Sequence, residues 1–202
     1  MARPKQTLLS RDGILRAALR LVDEHGPDAL STNRIAAELG VRGPSLYNHV
    51  SGRDEIIEGL RELLTADMDL GAAELRPWTL ACDRVARSYR ASFAAHPHVV
   101  PLLTAQPVRS PAVLAAYEKV FAALGEAGWP EEDLVPVVRA IEYLVIGSIH
   151  DQATGPSEDA ERAFDVGLSA LIHGLEQRLA GYPVSSRSSG RPASRPRPRR
   201  NT

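Results

Sequence analysis

The chain has 202 residues, 44% of them apolar, and a formal net charge of only −1, which is enough hydrophobic material for a buried core. No stretch approaches the roughly 18 uninterrupted apolar residues of a membrane span, and the basic segment 1–10 lacks the apolar run of a secretory signal, so a cytoplasmic chain with no membrane partner is expected. The single cysteine, Cys82, excludes an internal disulfide, and no Cys/His set stands at ligand spacing, so neither a metal nor a cofactor is expected.

The small net charge hides a strong asymmetry. Residues 1–53 hold eight Lys/Arg against five Asp/Glu, residues 54–182 hold ten against twenty, and residues 183–202 hold six against none. Basic ends on an acidic middle favour oriented docking on a polyanion. Nearly every segment shows the three-to-four-residue apolar period of a helix and none the alternation of a strand, which predicts an all-α fold.

In chain order, the first helix is expected after Ser10, with Ile14, Leu15, Ala18, Leu19 and Val22 on one face and His25-Gly26 as its stop. Residues 32–51 then have the order required by two short helices crossing over a tight turn. Ala36 is small where the helices approach, Gly40 can take a positive φ, and Ile35, Leu39, Val41 and Leu46 are apolar where the helices face each other. Pro44 suits a first helical turn, where its missing N–H has no intrahelical partner anyway. With Leu46 inward, Gly43, Ser45, Tyr47, Asn48 and His49 face outward, small or hydrogen-bonding and without an acid among them. That surface can approach phosphates and base edges. The bland reading of the same pattern is a helical hairpin with a solvated face.

A fourth helix is expected from Ser51, because Ser51-Gly52-Arg53-Asp54 has the form of a capping box, and it runs through Ile56, Ile57, Leu60, Leu63 and Leu64 to about Leu70. Pro77, Pro97, Pro111, Pro130 and Pro156 punctuate the acidic part of the chain. Helices fit at 78–95, 111–127, 131–152 and 158–180, with Ser110-Pro111 and Ser157 as helix starts and a short helical turn near 99–105. The segment from Pro183 on is Pro, Ser, Gly and Arg with almost nothing apolar, and reads as a disordered basic tail.

Residues 8–60 resemble the DNA-binding domain of the TetR family of repressors, through the stretch LSTNRIAAELGVRGPSLYNHVSGRDEII with Leu-Tyr-x-His at Leu46 to His49 and Arg53 opening the fourth helix. The acidic half, with Trp78, Tyr89, His96-Pro97, Gly125 to Gly128 and Gly147, more loosely resembles the tetracycline-repressor branch. The resemblance implies a helix-turn-helix DNA-binding domain over 1–53, an effector-binding and dimerisation domain over 54–182, and the tail at 183–202. It implies that Thr32, Tyr47, His49 and Arg53 hold phosphates, while Asn33, Arg42, Gly43, Pro44, Ser45 and Asn48 lie at or near base edges. Gly43 stands where the tetracycline repressors carry a longer polar side chain, so a different operator is expected. Val85 and Leu103 stand at two polar ligand positions of that branch, although Asp151 falls on an acid, so a magnesium-tetracycline effector is not expected.

A short recognition helix makes few base contacts, so useful specificity needs two copies about 34 to 36 Å apart on the duplex, and a homodimer is expected. The apolar stripes Leu134, Val137, Val138, Ile141, Leu144, Val145 and Phe164, Leu168, Leu171, Leu175, Leu179 are the expected four-helix interface; facing only their own core is the alternative. An effector cavity can draw on Tyr89, Phe93 and His96 at helical spacing, with Gln106, Tyr117, Phe121 and Tyr143. The function this implies is a repressor released from its operator by a small molecule. The competing reading is a ligand-independent DNA-binding or architectural protein. No Gly-x-Ser-x-Gly elbow or His-Glu-x-x-His pair supports an enzyme.

Overall fold

A computed structural model of the chain describes residues 9–153 and 158–182. The Ser157 helix start and the basic tail lie outside the described residues, which contain helices and no strand. Helix α1 spans Arg11–His25, α2 Thr32–Glu38, α3 Gly43–Leu46, α4 Arg53–Ala66, α5 Trp78–Ala94, α6 Val100–Thr104, α7 Pro111–Glu126, α8 Glu131–Ala153 and α9 Glu158–Ala180. Single turns of 3-10 helix occupy Pro27–Ala29, Leu70–Glu74 and Pro97–Val99. Among the described residues no helix is long and apolar enough to cross a membrane.

Local chemistry sets most of the boundaries. The Ser10 hydroxyl accepts from the Gly13 N–H at 3.1 Å to open α1, and Ser31 does the same for α2 through Arg34 at 3.3 Å. Gly40, at φ 65°, makes the turn between α2 and α3. Two expectations fail at α4. The Ser51 hydroxyl caps nothing; instead its backbone N–H donates to the Glu55 carboxylate at 2.7 Å, and Gly52, at φ 156°, is the cap, so the helix starts at Arg53. It also stops at Ala66, because Asp69 turns the chain into a 3-10 turn by accepting from the Ala72 N–H at 3.2 Å.

Packing forms one continuous core from the N-terminal helices into the acidic half. Ile14, Ile35, Leu46, Ile56 and Leu60 close the small N-terminal unit, and each is at most 1% exposed. Here α1 and α4 approach so closely that a Cβ built on Gly59 would lie 2.5 Å from a Leu15 methyl. In the larger unit α5 packs against both α8 and α9, and α8 against α9. Arg90 of α5, itself buried, fastens these three. Its Nη1 and Nη2 donate to the Glu161 carboxylate at 2.7 and 2.9 Å, its Nε to Ser148 Oγ at 3.1 Å, and its guanidinium lies 4.6 Å from the Phe164 ring centre.

The expected interface stripes need correction. Val137, Val138, Ile141 and Val145 of α8, and Phe164, Leu168, Leu175 and Leu179 of α9, are buried within this chain, with Leu134, Leu144 and Leu171 half-buried beside them. Helices this long in a small chain carry a wide apolar face simply to cover α5, and that requirement consumes the stripe. What α8 and α9 leave outward is a different face, with Tyr143 at 65% and Val166 at 69% exposure.

Candidate functional site

The first surface is built on α2 and α3. Leu46, fully buried, anchors α3 against the N-terminal core, so its neighbours must point away from it. Asn33, Arg42, Pro44, Tyr47, Asn48 and Arg53 are exposed, and Thr32, Gly43, Ser45 and His49 are half-buried. All ten expected DNA-contacting residues therefore lie at or near the surface of one helix-turn-helix. Tyr47 stands furthest out at 58% exposure. Gly43 leaves room beside α2, since a Cβ there would sit 3.6 Å from Asn33 Oδ1. Arg53 is steered toward the N-terminal unit by a 3.4 Å hydrogen bond from its Nε to the Leu30 carbonyl.

The second feature is a cavity of about 370 Å³ in the acidic half, within the range of small-molecule sites. Its wall comes from α4, α5, α7, α8 and the segment 103–108, and it is mostly apolar. Five expected residues line it: Tyr89, Phe93, Gln106 and Tyr117, with Tyr143, 65% exposed, only at its rim. Two do not. His96 binds Asp23 of α1 instead, Nδ1 to Oδ2 at 2.7 Å, and His98 Nδ1 meets the Asp23 carbonyl at 3.0 Å, so this turn clamps the two units together. Phe121 stacks on Tyr117 from outside, centre to centre 6.0 Å.

The polar groups that most distinguish the cavity, Glu142 and Arg61, escape a reading of the sequence alone. The Tyr117 hydroxyl donates to Glu142 Oε1. Burial raises the Glu142 carboxyl above its ordinary range, against the pull of Tyr117, Arg139 and Arg61. Burial and the Glu142 charge likewise raise the Tyr117 and Tyr89 phenols, and burial pushes the Cys82 thiol up to about 12. Both missed residues carry a signal: an ion inside an apolar helical stripe, Glu142 beside Ile141 and Val145, Arg61 beside Leu60 and Leu64.

Arg61 also ties α4, the helix that follows the helix-turn-helix, to the cavity-lining segment. Its Nη2 donates to the Leu103 carbonyl at 2.7 Å and the Gln106 carbonyl at 3.2 Å, and its Nε to Glu58 Oε2 at 3.4 Å. Glu58 Oε1 in turn accepts from the backbone N–H of Arg109 and Ser110, at 3.0 and 2.8 Å. Burial alone would raise Glu58, but these two donors and Arg61 hold it below its ordinary range. Gln106 Nε2 reaches Asp54 at 3.0 Å, so the polar face of α4 grips the cavity-lining loop along most of its length.

Residues 14–60 match the family model for bacterial regulatory proteins of the tetR family, and residues 72–157 match the tetracyclin repressor-like C-terminal domain. An HTH-type transcriptional regulator of Saccharopolyspora erythraea is 30% identical over 177 residues, covering 88% of this chain and 73% of that one. The chain belongs to the TetR family of transcriptional regulators. The HTH-type transcriptional repressor DrrR1 of Streptomyces coeruleorubidus is also 30% identical, with 90% of this chain and 68% of the relative covered. Among solved structures, apo ActR of Streptomyces coelicolor shares the fold at a TM-score of 0.76 and 24% identity, over 89% of this chain and 99% of that one. TetR-family proteins act as regulators and not as enzymes, which places this chain's chemistry in binding.

Proposed function

We propose that this TetR-family protein is a repressor that holds a palindromic operator as a homodimer and releases it when a small molecule occupies the interior cavity. One observation carries the reading: α4 belongs to both sites. Its first residue, Arg53, flanks the recognition surface, while Arg61 and Thr65 further along line the cavity. A ligand that displaces the 103–110 loop acts on α4 through Arg61, Glu58 and Asp54, and a rotation of α4 changes the spacing of two recognition helices in a dimer.

The phosphate grip falls to Thr32, Tyr47, His49 and Arg53, and base reading to Asn33, Arg42, Gly43, Pro44, Ser45 and Asn48. The dimer forms through the outward faces of α8 and α9. Support comes from the exposed Tyr143 and Val166, and from Gly147 and Gly174, where an added Cβ would meet nothing within this chain.

Selection of bound fragments from random duplex DNA tests the reading. It should return an inverted repeat with half-sites about 34 to 36 Å apart, preferred over random DNA by orders of magnitude. Binding without sequence preference would favour the architectural alternative. Any compound shown to occupy the cavity should then lower operator affinity about five- to 150-fold, a coupling of about 1 to 3 kcal/mol. Occupancy that leaves operator affinity unchanged refutes effector release.

A further inference from the structure

On the reading of the cavity as the effector site, we propose that its effector is an aromatic or polycyclic molecule bearing a protonated amine, which seats on Glu142, Tyr117 and Tyr89. The polar groups of the cavity are unequally satisfied. Arg61 is spoken for: its guanidinium serves two backbone carbonyls and is matched by the Glu58 carboxylate. Glu142 is not. Among the described residues the Tyr117 hydroxyl is its one hydrogen-bond donor, and that donation takes up only Oε1.

Tyr89 adds a third group. Tyr89 lines the same cavity, its hydroxyl has no hydrogen-bond partner among the described residues, and it feels the charges of Glu142 and Arg61. The second carboxylate oxygen, the Tyr117 oxygen and the Tyr89 oxygen thus offer three acceptors beside one negative charge, while the two cations of the lining are engaged elsewhere, Arg61 as above and the exposed Arg139 with Tyr143. An ammonium group presents three donors and one positive charge. The two phenol rings also offer their faces to a cation. A carboxylate buried this way costs free energy that a bound cation recovers and a neutral or anionic ligand does not.

The remaining wall selects the body of the molecule. Phe93, Trp78 and Leu103 supply apolar contact, and a volume of about 370 Å³ admits two or three fused rings.

Three probes with one ring system separate the chemistry: 2-(1-naphthyl)ethylamine, protonated at neutral pH, 2-(1-naphthyl)ethanol, and 1-naphthylacetate. Calorimetric titration of the full-length protein should rank amine over alcohol by about tenfold or more, with the acid weakest, as expected of one charge-assisted hydrogen-bonded pair. Glu142→Gln should bring amine and alcohol within about twofold of each other. Tyr89→Phe should narrow the gap without closing it, which guards against a Glu142 variant that fails to fold. Equal or tighter binding of the alcohol or the acid, an unchanged ranking in both variants, or no binding of the amine at millimolar concentration overturns the proposal. Amine binding that depends on Glu142 yet leaves operator affinity unchanged supports this ligand class and instead refutes effector release.

Discussion

Tyr47 and Asn48 are neighbours in sequence to which the proposed reading gives different work. Tyr47, at 58% exposure, offers a hydroxyl that can fix the helix on a phosphate, whereas an Asn in the groove can pair with adenine. Tyr47→Ala should weaken binding to every duplex by a similar factor, and Asn48→Ala should relax discrimination at one base position by about 1 to 3 kcal/mol. Mobility-shift titrations against a panel of single-base operator variants distinguish the two; identical profiles would refute the assignment.

Glu142 makes a second residue-level test, on stability. Its carboxyl is raised above the unfolded value, so protonated Glu142 is the form the fold prefers. That preference is fully present below the ordinary glutamate range and is lost as pH rises through the folded value. Glu142→Gln, which mimics the protonated form, should therefore melt close to wild type at acid pH and above it at pH 8. Glu58 runs the other way. Its folded value is lowered, so its contribution is present above the unfolded range and lost as pH falls through the folded one.

These residues differ in how readable they are from sequence, and for a physical reason. The outward set of the helix-turn-helix is legible because a tight turn at Gly40 and an inward Leu46 fix every neighbour within one turn of backbone. His96 departs from expectation because helical spacing with Tyr89 and Phe93 ends at Ala94, where α5 stops, and the next turn swings the imidazole toward Asp23.

Among the elements, α4 and α1 meet at Gly59. Gly59→Ala would push a methyl to 2.5 Å and 2.7 Å from the two Leu15 methyls, and Leu15 is only 2% exposed, so it cannot swing into solvent. The substitution should cost about 1 to 3 kcal/mol in chemical denaturation, despite the better helix propensity of alanine. No loss would mean that the two helices can separate.

The other end of α4 is a test of coupling. Arg61→Met keeps the apolar stem but removes the donors to Leu103 and Gln106. Operator affinity without ligand should be retained within a few-fold, while the ligand-dependent drop shrinks toward none, from the range of about 1 to 3 kcal/mol. Undiminished coupling would show that the signal takes another route, such as the clamp of His96 and His98 on Asp23.

Helix existence along the chain is readable from apolar period and proline punctuation. The ends of α4 are not, because both depend on which backbone N–H a nearby carboxylate chooses, Glu55 over Asp54 at the start and Asp69 at the finish. The destination of the α8 and α9 stripes is equally hidden. Period alone says that a face is covered, and only tertiary packing says by what.

Across the whole molecule, the buried stripes leave Tyr143 and Val166 as large apolar groups on the outward faces of the two longest helices. Single surface hydrophobes are ordinary, but a dimer that places two recognition helices in register needs such faces. Val166→Arg combined with Tyr143→Arg should shift the sedimenting species from dimer to monomer and reduce operator binding at least about 100-fold, because each half-site alone contributes few base contacts. A dimer that survives both changes would move the interface elsewhere.

The fastening of α5, α8 and α9 around Arg90 has a mechanical consequence. A guanidinium held by a carboxylate, a hydroxyl and an aromatic face at once locks together α5, α8 and α9, and α5 and α8 are the helices that wall one side of the cavity. The opposite wall is the 103–110 loop, hung from α4 by polar bonds between surfaces that can slide. On the proposed reading, a molecule wedged between the two walls presses on the loop and, through it, on the helix that leads to the recognition surface.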